Sequence, residues 1–367
     1  MKFTIAREEL LRSLQLVTGV VERRQTLPVL SNLLVEAKGS QMSLTGTDLE
    51  VELLVVVSDI AIEQEGSVTI PARKLADIWK SLPEGSMVSV TVNQEKATIV
   101  SGRSRFTLST LPASDFPKVE GSTDDSAIEL SSSNMQRLLQ QVSFSMAQQD
   151  VRYFLNGMLL EITGSHTRAV ATDGHRLAMC TIGGGIKDSE RLHAIIPRKG
   201  VLEIGRLIDE SEEPVGLSIG PNHLRVTRGP CTLTTKLVDG KFPEYEKVIP
   251  RDATRVITGD RETLRQGFTR ASILSNEKYR GVRLLVEGEN LTIQANNPEQ
   301  EEAEEIVPVG YEGELMEIGF NVSYLLDILS VLRGESVQIS VSDANSSAVV
   351  EGASDDDSIY VVMPMRL

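Results

Sequence analysis

Hydrophobic residues recur at helical spacing in three separate stretches: Leu10, Leu11, Leu14 and Val17; Leu75, Ile78 and Leu82; Leu325, Ile328, Leu329 and Leu332. Apolar positions three and four apart form one stripe on a helix, so each stretch predicts an amphipathic helix. Elsewhere the period changes. "MSLTGTDLEVELLVVV" (from Met42) and "MVSVTVNQEKATIVSG" (from Met87) alternate or run β-branched and are broken at Gly or Asn, which predicts antiparallel strands joined by turns.

The pattern repeats. "NLLVEAKGSQMSLTGTD" (Asn32 to Asp48) matches "GMLLEITGSHTRAVATD" (Gly157 to Asp173) and "GVRLLVEGENLTIQANN" (Gly281 to Asn297), with starts 125 and 124 residues apart. "IPARKLADIWKSL" (from Ile70) answers "IPRKGVLEIGRLI" (from Ile196) and, more loosely, "FNVSYLLDILSVL" (from Phe320); "DFPKVE" (from Asp115) answers "KFPEYE" (from Lys241). A solenoid repeat takes ~20–50 residues, so a period this long marks a whole domain with its own core. The prediction is an α+β chain of three similar domains, 1–125, 126–254 and 255–367, each with two helices on curved antiparallel sheet. The polar stretches "VEGSTDDSA" (Val119 to Ala127) and "PRDATR" (Pro250 to Arg255) divide them.

Composition narrows the class. The 367 residues are 40% hydrophobic and 24% charged, as in soluble globular chains. No window approaches the ~18 apolar residues of a membrane span, and "MKFTIAREELLRSLQ" turns charged too early for a signal peptide, so a cytoplasmic protein is expected. Cys180 and Cys231 stand far apart outside any CxxC pair, which argues for reduced structural thiols and against a thiolate metal site. The net charge of −15 repels nucleic acid unless basic residues gather in one place.

"TDGHRL" (Thr172 to Leu177) invites a catalytic reading, a hydrolase using Asp173 and His175. Two residues apart on one strand, they share a face but start about 7 Å apart. No GxSxG elbow, HExxH, P-loop or GxGxxG accompanies them, and His166, His175, His193 and His223 have no ligand spacing. Thr172 and Asp173 recur as Thr47 and Asp48 and as Asn296 and Asn297, which favours a turn residue bonding its own backbone. Gly183, Gly184 and Gly185 lack the Lys-Ser/Thr of a phosphate loop. "NNPEQEEAEEI" (Asn296 to Ile306) lacks the spacing of a calcium loop and reads as a charged edge strand. "SGRSRFTLS" (Ser101 to Ser109) carries the opposite sign, with Arg103 and Arg105 on one face and Phe106 and Leu108 on the other. A basic edge in the first domain and an acidic edge in the third can pair head to tail between chains and close into a ring.

Positive charge concentrates on or beside predicted helices: Arg7, Arg12, Arg73, Lys74, Lys80, Arg137, Arg198, Lys199, Arg261, Arg265 and Arg270, with Arg23 and Arg24 in a loop. Each alone is a solvated helix residue. Together they predict one positive side able to touch phosphates without reading sequence.

Along its whole length the chain resembles the bacterial DNA sliding clamps, the beta subunits of DNA polymerase III holoenzymes. The carrying blocks include "TLPVLSNLL", "SGRSRFTLSTLPASDFP", "QDVRYFLNGML", "VATDGHRLA", "KLVDGKFPEY", "ILSNEKYRGVRL", "NNPEQEEAEEI", "MEIGFNVSYLLDIL" and the terminal "YVVMPMRL". The resemblance implies a non-catalytic head-to-tail homodimer, a six-domain ring that encircles and slides on duplex DNA at replication forks, without a cofactor. By motif, it carries DNA contact to Arg24, Arg73, Gln149, Tyr153, Arg198 and Lys199, with Phe154 where many relatives have tyrosine. It implies a dimer interface of Lys74, Arg103 and Arg105 opposite Glu299, Glu302 and Glu305, around Phe106, Leu108, Ile273 and Leu274. It also implies a shared peptide groove for replicative and translesion polymerases, the clamp loader, mismatch-repair and ligase proteins, which bring short motifs, commonly a glutamine followed by two hydrophobic residues. The groove positions are Leu155, Thr172, Gly174, His175, Arg176, Leu177, Pro243, Lys247, Val248, Ser347, Val361, Met363, Pro364, Met365 and Arg366, with Lys247 where relatives often carry arginine. Outside the resemblance, a monomeric peptide-binding scaffold is the other architecture these features allow.

Overall fold

Residues 1–22, 27–117, 126–184, 191–209, 211, 213–251, 253–353 and 355–366 are described by a computed structural model of the chain. Its helices are α1 (Arg7–Val20), α2 (Ala72–Ser81), α3 (Ser132–Val142), α4 (Arg198–Leu207), α5 (Arg261–Ser272) and α6 (Val322–Val331). Two fall in each copy of the repeat, as predicted. The stripe of α1 buries Leu10, Leu14 and Val17, while Leu11 is only half-buried. In α2 the core position is Trp79 rather than Ile78, because Leu75, Trp79 and Leu82 form the stripe that turns fully inward.

Contacts divide the chain into two compact units, Met1–Gln136 with Lys199–Leu237, and Arg137–Arg198 with Val238–Leu367. The first holds a five-stranded sheet, in the order Ala61–Gln64, Lys2–Ala6, Met87–Asn93, Lys96–Ser101, Ser104–Ser109. Its eight-stranded sheet runs Ser126–Ser131, Pro214–Ile219, His223–Arg228, Cys231–Lys236, Val51–Val57, Gln41–Thr47, Asn32–Lys38, Gly66–Pro71. The second unit holds a nine-stranded sheet, Leu192–Pro197, Gly157–Ile162, His166–Thr172, Arg176–Gly183, Asp355–Val362, Ala348–Gly352, Ser336–Val341, Arg255–Asp260, Gly310–Tyr311. Its four-stranded sheet runs Glu302–Pro308, Asn290–Asn296, Gly281–Glu287, Met316–Asn321.

The reason for this division lies in two strand pairs. Val51–Val57 of the first copy pairs antiparallel with Cys231–Lys236 of the second, with Glu52 opposite Thr234. Arg176–Gly183 of the second copy pairs in the same way with Asp355–Val362 of the third, with Leu177 opposite Val361. Within their own copies Glu52 and Leu177 sit opposite Thr47 and Thr172, the matching residues of the repeat, so the two junctions have one register. A sheet hydrogen-bonded across a repeat boundary makes the boundary part of a core.

The corresponding strands at the two ends of the series are unpaired on one side among the described residues. Ser104–Ser109 pairs only with Lys96–Ser101, and Glu302–Pro308 only with Asn290–Asn296. The acidic edge strand predicted from the sequence is therefore an edge strand. Arg103 differs from its prediction: it lies with Gly102 in the two-residue turn before the strand, because Ser101 and Ser104 close the hairpin. On the inner face of Glu302–Pro308, α5 comes close through Gly267, where a Cβ would stand 2.7 Å from a Val307 methyl.

Candidate functional site

The "TDGHRL" segment is a turn followed by a strand. Asp173, Gly174 and His175 connect His166–Thr172 to Arg176–Gly183, which corrects the placement of Asp173 and His175 on one strand. The Asp173 Oδ1 accepts the backbone N–H of His175 at 2.9 Å and of Arg176 at 3.0 Å, and Oδ2 accepts Arg176 Nε at 3.1 Å. Thr172 Oγ1 donates to the Arg176 carbonyl at 2.6 Å and accepts the Gly174 N–H at 3.0 Å. Gly174 has φ +90°, and a Cβ there would meet the Arg152 guanidinium at 3.1 Å. The first copy builds the same turn: Asp48 Oδ1 accepts from Glu50 N at 2.9 Å and Val51 N at 2.7 Å, with Leu49 at φ 79°. An aspartate whose oxygens are taken by backbone N–H groups and an arginine orients the chain and does not orient a histidine base.

Arg176 is committed just as fully. Its side chain is 11% exposed, and beyond Asp173 it donates to Asp327 Oδ2 at 2.5 Å and to the Phe144 carbonyl at 2.8 Å. Its guanidinium carbon lies 5.2 Å from the Phe144 ring centroid and 4.5 Å from that of Tyr324. A planar cation between two rings and two carboxylates ties the turn to α6. Its place among the groove residues is thus one of positioning, a role the sequence pattern missed because Phe144, Tyr324 and Asp327 lie far away along the chain.

Beside this turn the strand pair puts Leu177 against Val361 in a buried cluster with Leu159, Val170, Met179, Ile195, Phe242 and Tyr245. Leu155, Leu177 and Val361 are buried; Pro243, Ser347, Pro364 and Met365 are half-buried; Val248 and Met363 are 49% and 47% exposed. His175, Lys247 and Arg366 are exposed, and Lys247 pairs with Glu244. The tail is tied down by its backbone, Met363 N–H to the His175 carbonyl at 2.9 Å and Met365 N–H to the Gly319 carbonyl at 2.8 Å. The result is an apolar floor with a methionine and a valine open to solvent above it, a surface that adapts to several side chains. Below it the buried Glu161 accepts from Arg191 and, at 3.4 Å, from Tyr245 Oη. Burial pushes the Glu161 carboxyl up, but hydrogen bonds and charge from Arg191 outweigh it and hold the group below the usual range.

The residues expected to face DNA are in unequal states. Arg24 lies outside the described residues. Arg73 is exposed with one Nη donating to the Val21 carbonyl at 3.0 Å, Gln149 is exposed at φ 57°, and Tyr153 is 74% exposed. Arg198 is half-buried and reaches the Met146 carbonyl at 3.4 Å. Lys199 is not a free cation, since its Nζ pairs with Glu22 at 2.9 Å and more closely with Asp48. Burial lowers its pKa, the Asp48 and Glu22 hydrogen bonds raise it, and the net direction is up.

At the edges, Arg105 is exposed on its strand while Phe106 and Leu108 are half-buried, and Lys74, Glu299 and Glu302 are exposed. Ile273, just past α5, is 73% exposed, beside the half-buried Leu274. Glu305 is already engaged, accepting two hydrogen bonds from Arg270 at 2.9 Å each, which hold its carboxyl below the usual range. Among the described residues no group of three or more His, Cys, Asp or Glu is placed to hold a metal ion, and no helix is long and apolar enough to cross a membrane.

Comparison with known proteins gives one answer. Three family models match in succession: the N-terminal domain of the DNA polymerase III beta subunit over residues 1–120, its central domain over 129–244 and its C-terminal domain over 246–366. The chain is 58% identical to the beta sliding clamp of Pseudomonas aeruginosa and 49% identical to that of Escherichia coli K12, covering 100% of itself and of each relative. A crystal structure of the P. aeruginosa DnaN sliding clamp bound to griselimycin superposes with a TM-score of 0.97 at 57% identity, with 100% of both chains covered. The chain belongs to the DNA polymerase III beta subunit family, the bacterial sliding clamps.

Proposed function

We propose that two copies of this chain join head to tail into a ring that encircles duplex DNA and tethers polymerases to it, as the processivity factor the family defines. One observation carries the pairing. Both inner junctions are strand pairs of one register, and the two strands that would make the third are the free edges Ser104–Ser109 and Glu302–Pro308. The register extends directly. Glu302 sits opposite Asn296 as Glu52 sits opposite Thr47, and Ser104 closes its hairpin against Ser101 as Cys231 does against Arg228. Transferred to a second chain, that places Glu302 opposite the partner's Thr107, Ala303 opposite the partner's Phe106, and Glu304 opposite the partner's Arg105.

This refines the expected charge pairing. Arg105 faces Glu304 directly and Glu302 diagonally, while Glu305, held by Arg270, lies on the other face with Phe106 and Ile273. Cross-strand ion pairs are worth about 0.2–1 kcal/mol each, so strand pairing and the apolar contacts hold the interface and the charges set its register. Reversing Arg105 (Arg105→Glu) or Glu304 (Glu304→Arg) lowers dimer affinity in sedimentation experiments, and the double reversal restores it in part. Absence of rescue, or a wild-type chain that sediments as a monomer at micromolar concentration, overturns the pairing.

The basic helix residues Arg73 and Arg198, with Gln149 and Tyr153, line the hole. Phosphate contact of this kind is weak, ~10⁻⁴ to 10⁻⁶ M at physiological salt, so residence on DNA is topological. The groove around Leu177, Val248, Val361 and Met363 takes client peptides, a reading supported by the griselimycin-bound relative. The domains run 1–125, 126–254 and 255–367. The protein acts in the cytoplasm at replication forks and is not itself a catalyst, in keeping with Asp173 being spent on its own turn.

A further inference from the structure

The groove continues past Met363. Met365 and Arg366 form one wall of a cavity of about 1030 Å³ on the face of the four-stranded sheet turned away from α5. Its floor is made by Arg283, Gln294 and Glu304 on adjacent strands. The opposite wall is the loop at Asn276, whose Oδ1 accepts the backbone N–H groups of Lys278 at 2.9 Å and Tyr279 at 3.0 Å and so leaves the Tyr279 ring exposed.

The chemistry of this cavity is that of a peptide site. The Asn296 amide both donates and accepts and the Gln294 Oε1 accepts, as the backbone of an extended chain requires, while the Asn297 amide is taken by Glu301, donating at 2.6 Å and accepting at 3.0 Å. Its volume stands at the top of the ~300–1,000 Å³ typical of small-molecule pockets, and the lining lacks the apolar enclosure such ligands use. The acidic wall is already engaged: Glu304 accepts from Gln294 at 2.9 Å, and in the proposed dimer both Glu302 and Glu304 face the partner's Arg105. That leaves the cations. Arg366 has no ion-pair partner among the described residues, and Arg283 has one, the exposed Glu317 at 3.1 Å.

We propose that this cavity is a second subsite that takes the polypeptide flanking a client's short motif, in extended form and carrying carboxylates for Arg283 and Arg366. The proposal rests on the reading of the groove as the client site. Any gain in affinity from an acidic flank is local, because a protein of net charge −15 repels such a peptide at long range.

The test uses the full-length protein and three fluorescein-labelled peptides: a core with glutamine followed by two hydrophobic residues, and the same core extended by Asp-Ser-Asp-Ser-Asp-Ser before it or after it. One extended peptide binds about tenfold more tightly than the core, the equivalent of one good charge-assisted contact. Arg283→Glu removes the gain while leaving core affinity unchanged, and Asn296→Trp, which fills the cavity, does the same. No gain from either extension, or a gain that survives both substitutions, overturns the subsite alone. A core peptide that fails to bind, or that griselimycin does not displace, overturns the groove reading and the subsite with it.

Discussion

Removing the Arg176 guanidinium is the sharpest perturbation of the candidate site. Arg176→Met keeps the apolar stem and deletes the hydrogen bonds to Asp173, Asp327 and the Phe144 carbonyl, together with both ring contacts. Hydrogen bonds to charged groups contribute ~1.5–3 kcal/mol and cation–π contacts ~0.5–2 kcal/mol. Asp327 is 46% exposed and recovers hydration when released, so its share is discounted, whereas the largely buried Asp173 keeps its backbone donors. The net expectation is a loss of ~3–5 kcal/mol, the usual cost of breaking a buried charge network by one partner. For a unit of this size each kcal/mol lowers the Tm by about 2–4 °C, so the relevant transition falls by roughly 6–20 °C. Arg176→Lys keeps the charge but loses the planar fork and recovers less than half of that. Because the turn carries His175 and precedes Leu177, client peptide affinity falls in parallel in the folded variant. A loss below about 1 kcal/mol by calorimetry, with unchanged peptide affinity, would refute the reasoning that Arg176 positions the groove.

Other outcomes follow from buried contacts. Gln141→Leu deletes the amide donor that sits 2.7 Å from the Val331 carbonyl and the acceptor that the Tyr360 hydroxyl uses, and costs about 1–3 kcal/mol in denaturant titration; no change in midpoint argues against that bridge. Glu161 has a depressed pKa, so its contribution to stability is present above its ordinary value of 4.5 and is lost as pH falls through the lower, folded value. Glu161→Gln is therefore less stable than wild type at neutral pH and the two converge in acid, and parallel curves between pH 3 and 7 would contradict this. Lys199→Met frees Asp48 and Glu22, so it weakens direct binding to duplex DNA at low salt in part by exposing negative charge; Asp48→Asn restores it. A double variant no better than Lys199→Met would show the lysine acting on DNA alone.

The parts of the fold legible from sequence are those with local signatures. The repeat, the helix stripes, the hairpins and the two edge strands are written in spacing and turn residues. The turn role of Asp173 was also visible, since Thr47 and Asp48 repeat it, although its partners and its place off the strand were not. Pairings between strands far apart in sequence leave no periodic mark. Glu52 against Thr234 and Leu177 against Val361 offered only an indirect signal, namely that the third copy carries acids where the first two carry mostly apolar residues. The sequence did not separate a cation committed inside the fold from one free to meet a phosphate. Lys199 and Arg73 look alike on their helices, and only the folded chain brings Asp48 and Glu22 to the first of them. Arg176 is the same case with a larger energy, its partners being contributed by segments on either side in sequence.

Retention on circular against linear duplex DNA addresses the central claim most directly. Labelled protein is loaded onto nicked circular plasmid by a clamp loader, separated from free protein at moderate salt, and followed after the circle is cut once by a restriction enzyme. A topologically linked ring stays on the circle through the column and is lost from the linear product by sliding off its ends. Equal retention on circular and linear DNA would mean that direct phosphate contact holds the protein, and it would contradict the ring.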